Sequence, residues 1–126
     1  MSYKKAWIFA IGGEGLTSVE VYNISLNQWF QAPHLNTDRS DASSCEQDDY
    51  IYTFGGLGCR AGYQLADIER LDAKKVSLGT DGIEWEVMQI KDDCVSKPSK
   101  RESACMVSYD NDRILILGGD GDPNGF

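Results

Sequence analysis

The sequence has few of the residues on which metal sites and catalytic centres depend. Its 126 residues include one histidine, His34, and no serine or cysteine nucleophile has a matching base nearby in the sequence. None of the cysteines forms a C-x-x-C pair, so a structural zinc site is not expected. We therefore expect no catalytic residue, no metal and no cofactor, and interpret the chain as non-enzymatic. The four cysteines are Cys45, Cys59, Cys94 and Cys105.

Long apolar runs and an excess of positive charge are also missing. No run approaches the ~18 apolar residues of a membrane span. Twelve Lys and Arg against twenty Asp and Glu give a net charge of −8. Nucleic acids and anionic membranes attract basic surfaces, so neither is expected as a partner. Unpaired cysteines and the lack of a signal peptide predict reduced thiols and a cytoplasmic location.

What the sequence does contain is one short apolar segment that occurs three times and ends each time in two glycines. Each copy is rich in β-branched or aromatic residues, which predicts a strand rather than a helix. Because apolar and polar residues do not alternate within the segments, we expect both faces of each strand to be covered. Recurrence predicts a repeat architecture. The copies are Ile8–Gly13, Ile51–Gly56 and Ile114–Gly119.

The sequence between the glycine pairs repeats as well. Trp29 is matched by Trp85, and Arg39 by Arg101. The second unit is 20 residues longer than the first, and all of the extra length falls between predicted strands, where loops accommodate it cheaply. The predicted strands are 6–11, 18–22 and 28–31 in the first unit, 41–45, 50–54, 66–71 and 83–89 in the second, and 103–108 and 113–117 in the third.

A glycine pair followed by a tyrosine, a tryptophan and then an arginine resembles the kelch repeat. The first unit matches well through Tyr22 and Trp29, whereas the second has Leu71 where the family prefers tyrosine. The resemblance implies an all-β fold, an incomplete β-propeller built from four-stranded antiparallel blades. The expected blades are a partial one in residues 1–38, a full one in 39–98 and the start of a third in 99–126.

Two and a half blades would leave apolar faces and strand edges uncovered. Kelch propellers are closed rings of about five to seven blades. We therefore expect a fragment of a longer chain, and the alternative is self-association of copies that complete a ring.

Two short motifs suggest other chemistry. Residues 56–61 fit G-x-G-x-x-A, but a dinucleotide site needs a helix at that point and a strand is predicted instead. Residues 120–125 match the first half of a calcium-binding loop, without the glutamate that completes it. Both motifs are interpreted as turns.

Paired positions in the repeat indicate structural roles. Arg39 and Arg101 are expected to anchor the start of the inner strands, with a partner contact as the alternative. Cys45 and Cys105 are expected to be small buried residues. The two matched tryptophans, Trp29 and Trp85, are expected to pack between blades.

The resemblance implies a protein–protein interaction module, a scaffold or substrate-recognition propeller such as those of ubiquitin-ligase adaptors. Most of the extra loop length lies on the face where kelch propellers bind partners. The alternative is part of an oxidase- or epimerase-like propeller enzyme whose catalytic residues lie outside this chain. The expected partner is a protein of unknown identity. The candidate contact residues are His34, Asp38, Cys59, Arg60, Tyr63, Gln64, Lys97 and Lys100.

Overall fold

A computed structural model describes residues 6–79, 81–91 and 96–121. In these ranges the chain forms eleven strands and one short helix, and every strand pairing is antiparallel. The expectation of an all-β fold is confirmed. The strands form three sheets in chain order, here called sheets I, II and III, and one small hairpin between strands of sheet II.

Sheet I contains the first three strands in their order along the chain. They are β1 (Trp7–Gly13), β2 (Leu16–Asn23) and β3 (Gln28–Ala32). Gly15 and Asn27 have positive φ angles of 68° and 53° in the two tight turns that join these strands. In the resulting register, Tyr22 lies opposite both Ile8 and Trp29.

Sheet II has four strands in the order β4, β5, β8 and β9. The first two are β4 (Ser43–Gln47) and β5 (Tyr50–Phe54). The small hairpin follows, formed by β6 (Leu57–Gly58) and β7 (Tyr63–Gln64). The chain returns to the sheet as β8 (Ile68–Asp72), continues into helix α1 (Ala73–Ser77) and ends the sheet with β9 (Glu86–Val87).

Sheet III is a pair, β10 (Cys105–Ser108) and β11 (Ile114–Leu117). It lies against sheet II along β4. The backbone amide of Ser103 donates to the carbonyl of Asp41 over 2.8 Å, and the Ser108 hydroxyl donates to the carbonyl of Glu46.

Most predicted strands are found within two residues of their expected bounds, and 50–54 is reproduced without change. The prediction for 83–89 was wrong in extent, because only Glu86–Val87 pairs as a strand. Two elements were not predicted, the β6–β7 hairpin and α1. Helix α1 begins because the Asp72 carboxylate accepts a hydrogen bond from the Lys75 amide at 3.1 Å, as an N-cap does.

The main core lies between sheets I and II. The face of sheet II that carries Ile51, Leu71 and Trp85 is here called its front face. In sheets I and III, the front face is the one that carries the residues at the matching repeat positions. The opposite face of each sheet is its back face. The front face of sheet II packs against the back face of sheet I mainly through apolar residues. The fully buried members are Val19, Val21, Ala32, Leu35, Ile51, Leu71 and Trp85. The same faces also carry the buried polar residues Thr53, Glu69 and Asn23.

The central strand β5 carries buried residues on both of its faces, as expected. In β1 and β11, by contrast, one face is exposed to solvent. Ile8 on β1 and Leu117 on β11 are exposed, because each outer sheet packs against sheet II through one face only. The same geometry corrects the expectation for two cysteines. Cys45 is half-buried, and Cys105, on the outer face of sheet III, is exposed.

A hydrogen bond of one kind recurs between neighbouring units. The amide of Gly13 donates to the carbonyl of Arg39 at 3.0 Å, and the amide of Gly56 donates to the carbonyl of Arg101 at 2.9 Å. A side chain would not fit beside this contact, because a Cβ atom on Gly55 would lie 2.5 Å from the Arg101 carbonyl oxygen. These bonds use backbone atoms of the two arginines, whereas their side chains donate to the Gly55 and Gly118 carbonyls, in agreement with the expected structural role. We call these contacts the Arg–Gly junctions.

No helix within the described ranges is both long and apolar enough to cross a membrane.

Candidate binding surface at the hairpin end

The β6–β7 hairpin and the two connections beside it form one end of the sheets, here called the hairpin end. Ser40 pairs with Leu57 by two backbone hydrogen bonds of 3.0 and 2.8 Å, which attach the hairpin to the first connection. Arg101 donates its amide to the Leu65 carbonyl at 3.1 Å, which attaches the second connection. The connections therefore hold the hairpin from both sides and leave its tip, residues 59–63, exposed.

Asp38 holds the backbone of the hairpin tip in place. Its side chain is buried, at 3% exposure, and Oδ2 accepts hydrogen bonds from the amides of Cys59 at 2.8 Å and Arg60 at 3.3 Å. The structure thus brings three of the predicted contact residues together. Asp38 is in the supporting position, whereas Cys59 and Arg60 are presented to solvent.

Tyr63 and Lys100 form a second group on the same surface. The ammonium of Lys100 lies 4.5 Å from the centroid of the Tyr63 ring, a cation–π contact between two exposed side chains. Gln64 is half-buried beside them, and its amide nitrogen donates to Glu102 Oε1 at 3.1 Å and to the Asp120 carbonyl at 3.2 Å. These bonds tie the hairpin to sheet III.

The two remaining candidates lie apart from these groups. His34 is exposed beside sheet I, where its Nδ1 lies 3.0 Å from the hydroxyl oxygen of Thr17. Lys97 is exposed in the connection that also carries Lys100. Seven of the eight candidates therefore keep an accessible or half-exposed side chain, and Asp38 is the exception.

Sequence reasoning missed the buried residue that supports this end, Glu69. Its Oε1 accepts hydrogen bonds from the amide and the side-chain Nδ2 of Asn36 at 2.7 and 2.8 Å, and its Oε2 accepts one from Arg39 at 2.7 Å. Asn36 Nδ2 also donates to the Trp85 carbonyl at 2.8 Å. The repeat held a signal for it, because Glu20 and Glu69 stand at matching positions in the two units.

The hairpin end carries charges of both signs, with exposed cations and, beside Gln64, the acidic residues Glu102 and Asp120. Arg60, Lys97 and Lys100 are all exposed, whereas the nearby carboxylate of Asp38 is already bound to two amides. Guanidinium and ammonium groups next to an exposed tyrosine suit contacts with carboxylates and polar backbone on a protein partner. The arrangement can bind, but its described groups include no nucleophile with an adjacent base.

The opposite end of sheet II, which carries α1, has a shallow depression of about 210 Å³. Arg70 lines this depression. Its Nε donates a hydrogen bond to Glu86 Oε2 at 2.7 Å, and its guanidinium lies 4.7 Å from the centroid of the Tyr50 ring. The hydrogen bond to Glu86 raises the pKa of Arg70. We call this the helix end. Its Arg70, Glu86 and Tyr50 side chains are in contact with one another.

Within the described ranges, no three His, Cys, Asp or Glu side chains lie close enough together to hold a metal ion. Of the calcium-like motif, Asp120 pairs with Glu102 through two backbone hydrogen bonds, and the rest of the motif after Gly121 lies outside the described residues.

No protein-family model matches the chain, and no curated protein matches it significantly. The geometry of the described residues therefore carries the functional argument.

Proposed function

We propose that the chain is a kelch-type propeller segment that binds a protein partner through its hairpin end. The single observation that carries the binding proposal is the anchored hairpin. Its exposed tip offers Cys59, Arg60 and Tyr63 on a backbone that Asp38 holds in place. A backbone that is already held in place loses little conformational freedom on binding.

Support for the kelch-type assignment comes from the repeated contacts. Arg39 Nη1 donates to the Gly55 carbonyl at 2.9 Å, and Arg101 Nη1 donates to the Gly118 carbonyl at 3.0 Å. The matching residues of the repeat thus make matching bonds, in addition to the two Arg–Gly junctions. A structural unit that recurs with its contacts is what a propeller requires. A scaffolding or substrate-recognition role fits such a module.

The test compares charge reversal at the two ends of the molecule. An Arg60→Glu/Lys100→Glu variant changes the hairpin end, and Lys74→Glu/Lys75→Glu makes the same change in charge on α1, where both lysines are exposed. Each immobilised protein is incubated with cell extract, and the bound proteins are quantified by mass spectrometry.

We expect at least one protein captured by the wild type to be reduced about tenfold or more by the hairpin-end change, which corresponds to ~1.4 kcal/mol of binding free energy. The helix-end variant should still capture it. Identical captured sets for the wild type and both variants would refute binding through the hairpin end.

A further inference from the structure

An apolar face is exposed on each of the two outer sheets. On sheet I, the front face carries Trp29, which is 58% exposed, and Ile8. On sheet III, the back face carries Leu117, which is 53% exposed, and Leu115 and Val107. Ile8 and Trp29 both lie opposite Tyr22, and Val107 lies opposite Leu115, so the apolar side chains of each face are neighbours. Exposed apolar groups that lie together commonly mark a contact with another protein.

The front face of sheet I is the repeat equivalent of a surface that is buried elsewhere in the same molecule. Trp29 corresponds to Trp85, which is 3% exposed and donates Nε1–H to the Pro33 carbonyl at 2.9 Å. Counting back four residues from the first glycine of each pair places Ile8 at the position of Ile51, which is buried in the core. The front face of sheet I is therefore exposed to solvent, whereas the matching front face of sheet II is buried.

The back face of sheet III is likewise exposed, whereas the matching back face of sheet I packs against the core. Leu115 and Leu117 stand at the positions of Phe9 and Ile11, and these two pack against the core between sheets I and II. Exposed and half-buried residues alternate along β1 and β11, but on opposite faces of the two strands. Ile8 is exposed, whereas Ile114 at the matching position of β11 is half-buried.

We propose that two copies of the chain associate head to tail, with the front face of sheet I of one copy against the back face of sheet III of the other. The basis is the core itself, where a front face already packs on a back face between sheets II and I. The two exposed faces are different surfaces that complement each other, so the contact is heterologous rather than two-fold symmetric. This inference rests on the sheet faces and not on binding at the hairpin end.

The test places one charge in each face. Trp29→Glu removes the front face of sheet I as a docking surface, and Leu117→Glu removes the back face of sheet III. Leu78→Glu is the matched control, because Leu78 is 72% exposed at the end of α1 and belongs to neither face. Near-ultraviolet circular dichroism shows whether each variant keeps the wild-type core around Trp85.

The readout is native mass by light scattering after size exclusion, over a range of micromolar concentrations. The wild type and Leu78→Glu should reach at least twice the 14.0 kDa chain mass. Trp29→Glu and Leu117→Glu should each be monomeric when alone. An equimolar mixture of these two should form a dimer and grow no further, because it contains one intact pair of faces.

Other results would overturn the proposal. A dimer of Leu117→Glu alone would show front faces pairing with each other, and a dimer of Trp29→Glu alone would show the same for back faces. A wild type that stays monomeric at every concentration would exclude the second copy, so that some other protein would have to cover these faces. A mixture of the two folded variants that stays monomeric would also refute head-to-tail contact.

Discussion

Arg39 and Glu69 form an ion pair that solvent does not reach. Nη2 of Arg39 lies 2.7 Å from Oε2 of Glu69, and both side chains have no exposed surface. The same guanidinium contacts the Asp67 carboxylate at 3.2 Å and the Gly55 carbonyl at 2.9 Å. One side chain thus connects the segment that precedes β4 with the end of β5 and with β8.

Removing the positive charge from this site should destabilise the fold strongly. Arg39→Met leaves the Glu69 carboxylate buried without its cation, which costs about 3–5 kcal/mol. Arg101→Met, at the matching position, should cost less because Arg101 is half-buried and bonds to Ser99 and to the Gly118 carbonyl. Urea unfolding of both variants measures the difference. Equal losses would show that burial of the Arg39–Glu69 pair is energetically unimportant.

The close approach at Gly56 predicts a large effect of a single methyl group. Gly56 has φ +90°, and a Cβ atom there would lie 2.5 Å from the Ser40 carbonyl oxygen. Gly62 has φ +72° with open space around it, so Gly62→Ala isolates the cost of the backbone conformation, about 1–2 kcal/mol. Gly56→Ala should cost about 1–3 kcal/mol more because of the clash. Thermal unfolding of the pair tests this, and similar melting temperatures would contradict the structure.

The two matched tryptophans should contribute very differently to stability. Trp85→Ala removes a side chain from the core together with its hydrogen bond to the Pro33 carbonyl, at a cost of about 3–5 kcal/mol. Trp29→Ala, measured at low protein concentration, should cost less than about 1 kcal/mol because the side chain is mostly exposed. Denaturant titration followed by far-ultraviolet circular dichroism gives both values. A larger loss for Trp29 would indicate that its face is covered within the single chain.

Thiol reactivity should distinguish Cys45 from Cys59. Burial raises the pKa of the Cys45 thiol, and a hydrogen bond with Ser108 opposes this in part. A raised pKa means less thiolate at a given pH, and thiolate is the reacting form. Cys59 is exposed at the hairpin tip. Iodoacetamide labelling at pH 8, resolved by mass spectrometry of peptides, should therefore modify Cys59 before Cys45. Denatured protein is the control, in which the two rates should converge.

The turn before β11 contains a carboxylate with a lowered pKa. The hydrogen bond from Arg113, and a second contact with Asp112, lower the pKa of Asp110 to about 2. The folded state therefore favours the ionised form. Any stabilisation from it is complete above the ordinary pKa of Asp, about 3.9, and is lost as the pH falls towards 2. Carboxyl NMR titration of Arg113→Gln should show this pKa moving up towards its ordinary value, and Arg70→Gln should leave it unchanged.

The repeat made several parts of the fold predictable from the sequence. Glycine pairs located β1, β5 and β11, because two consecutive residues of positive φ stand at the end of each of these strands. Matching Arg39 with Arg101 identified anchoring residues, since a role shared by repeat units is structural. Trp85 was predicted as a packing aromatic and is buried.

Other parts of the fold and of the candidate site could not be predicted, because they depend on contacts that the local sequence does not reveal. Trp29 has the same place in the repeat as Trp85, yet it is exposed, because burial is decided by a neighbouring sheet and not by the residue. Asp38 was predicted as a surface contact, but its carboxylate binds amides 21 and 22 residues away. Helix α1 is only five residues long, too short for a periodic pattern to reveal.

The Arg–Gly junctions give the chain a direction along its stack of sheets. The unit of sheet II donates the Gly56 amide to the unit that follows and, through the Arg39 carbonyl, accepts the Gly13 amide of the unit before. Duplication or deletion of a whole unit therefore leaves every such junction with both of its halves. Loss of a segment that contains only one half of a junction leaves a glycine amide or an arginine carbonyl without its counterpart. Growth of such a protein through gene duplication is thus expected to proceed in steps of one complete unit, with variation in length confined to the loops.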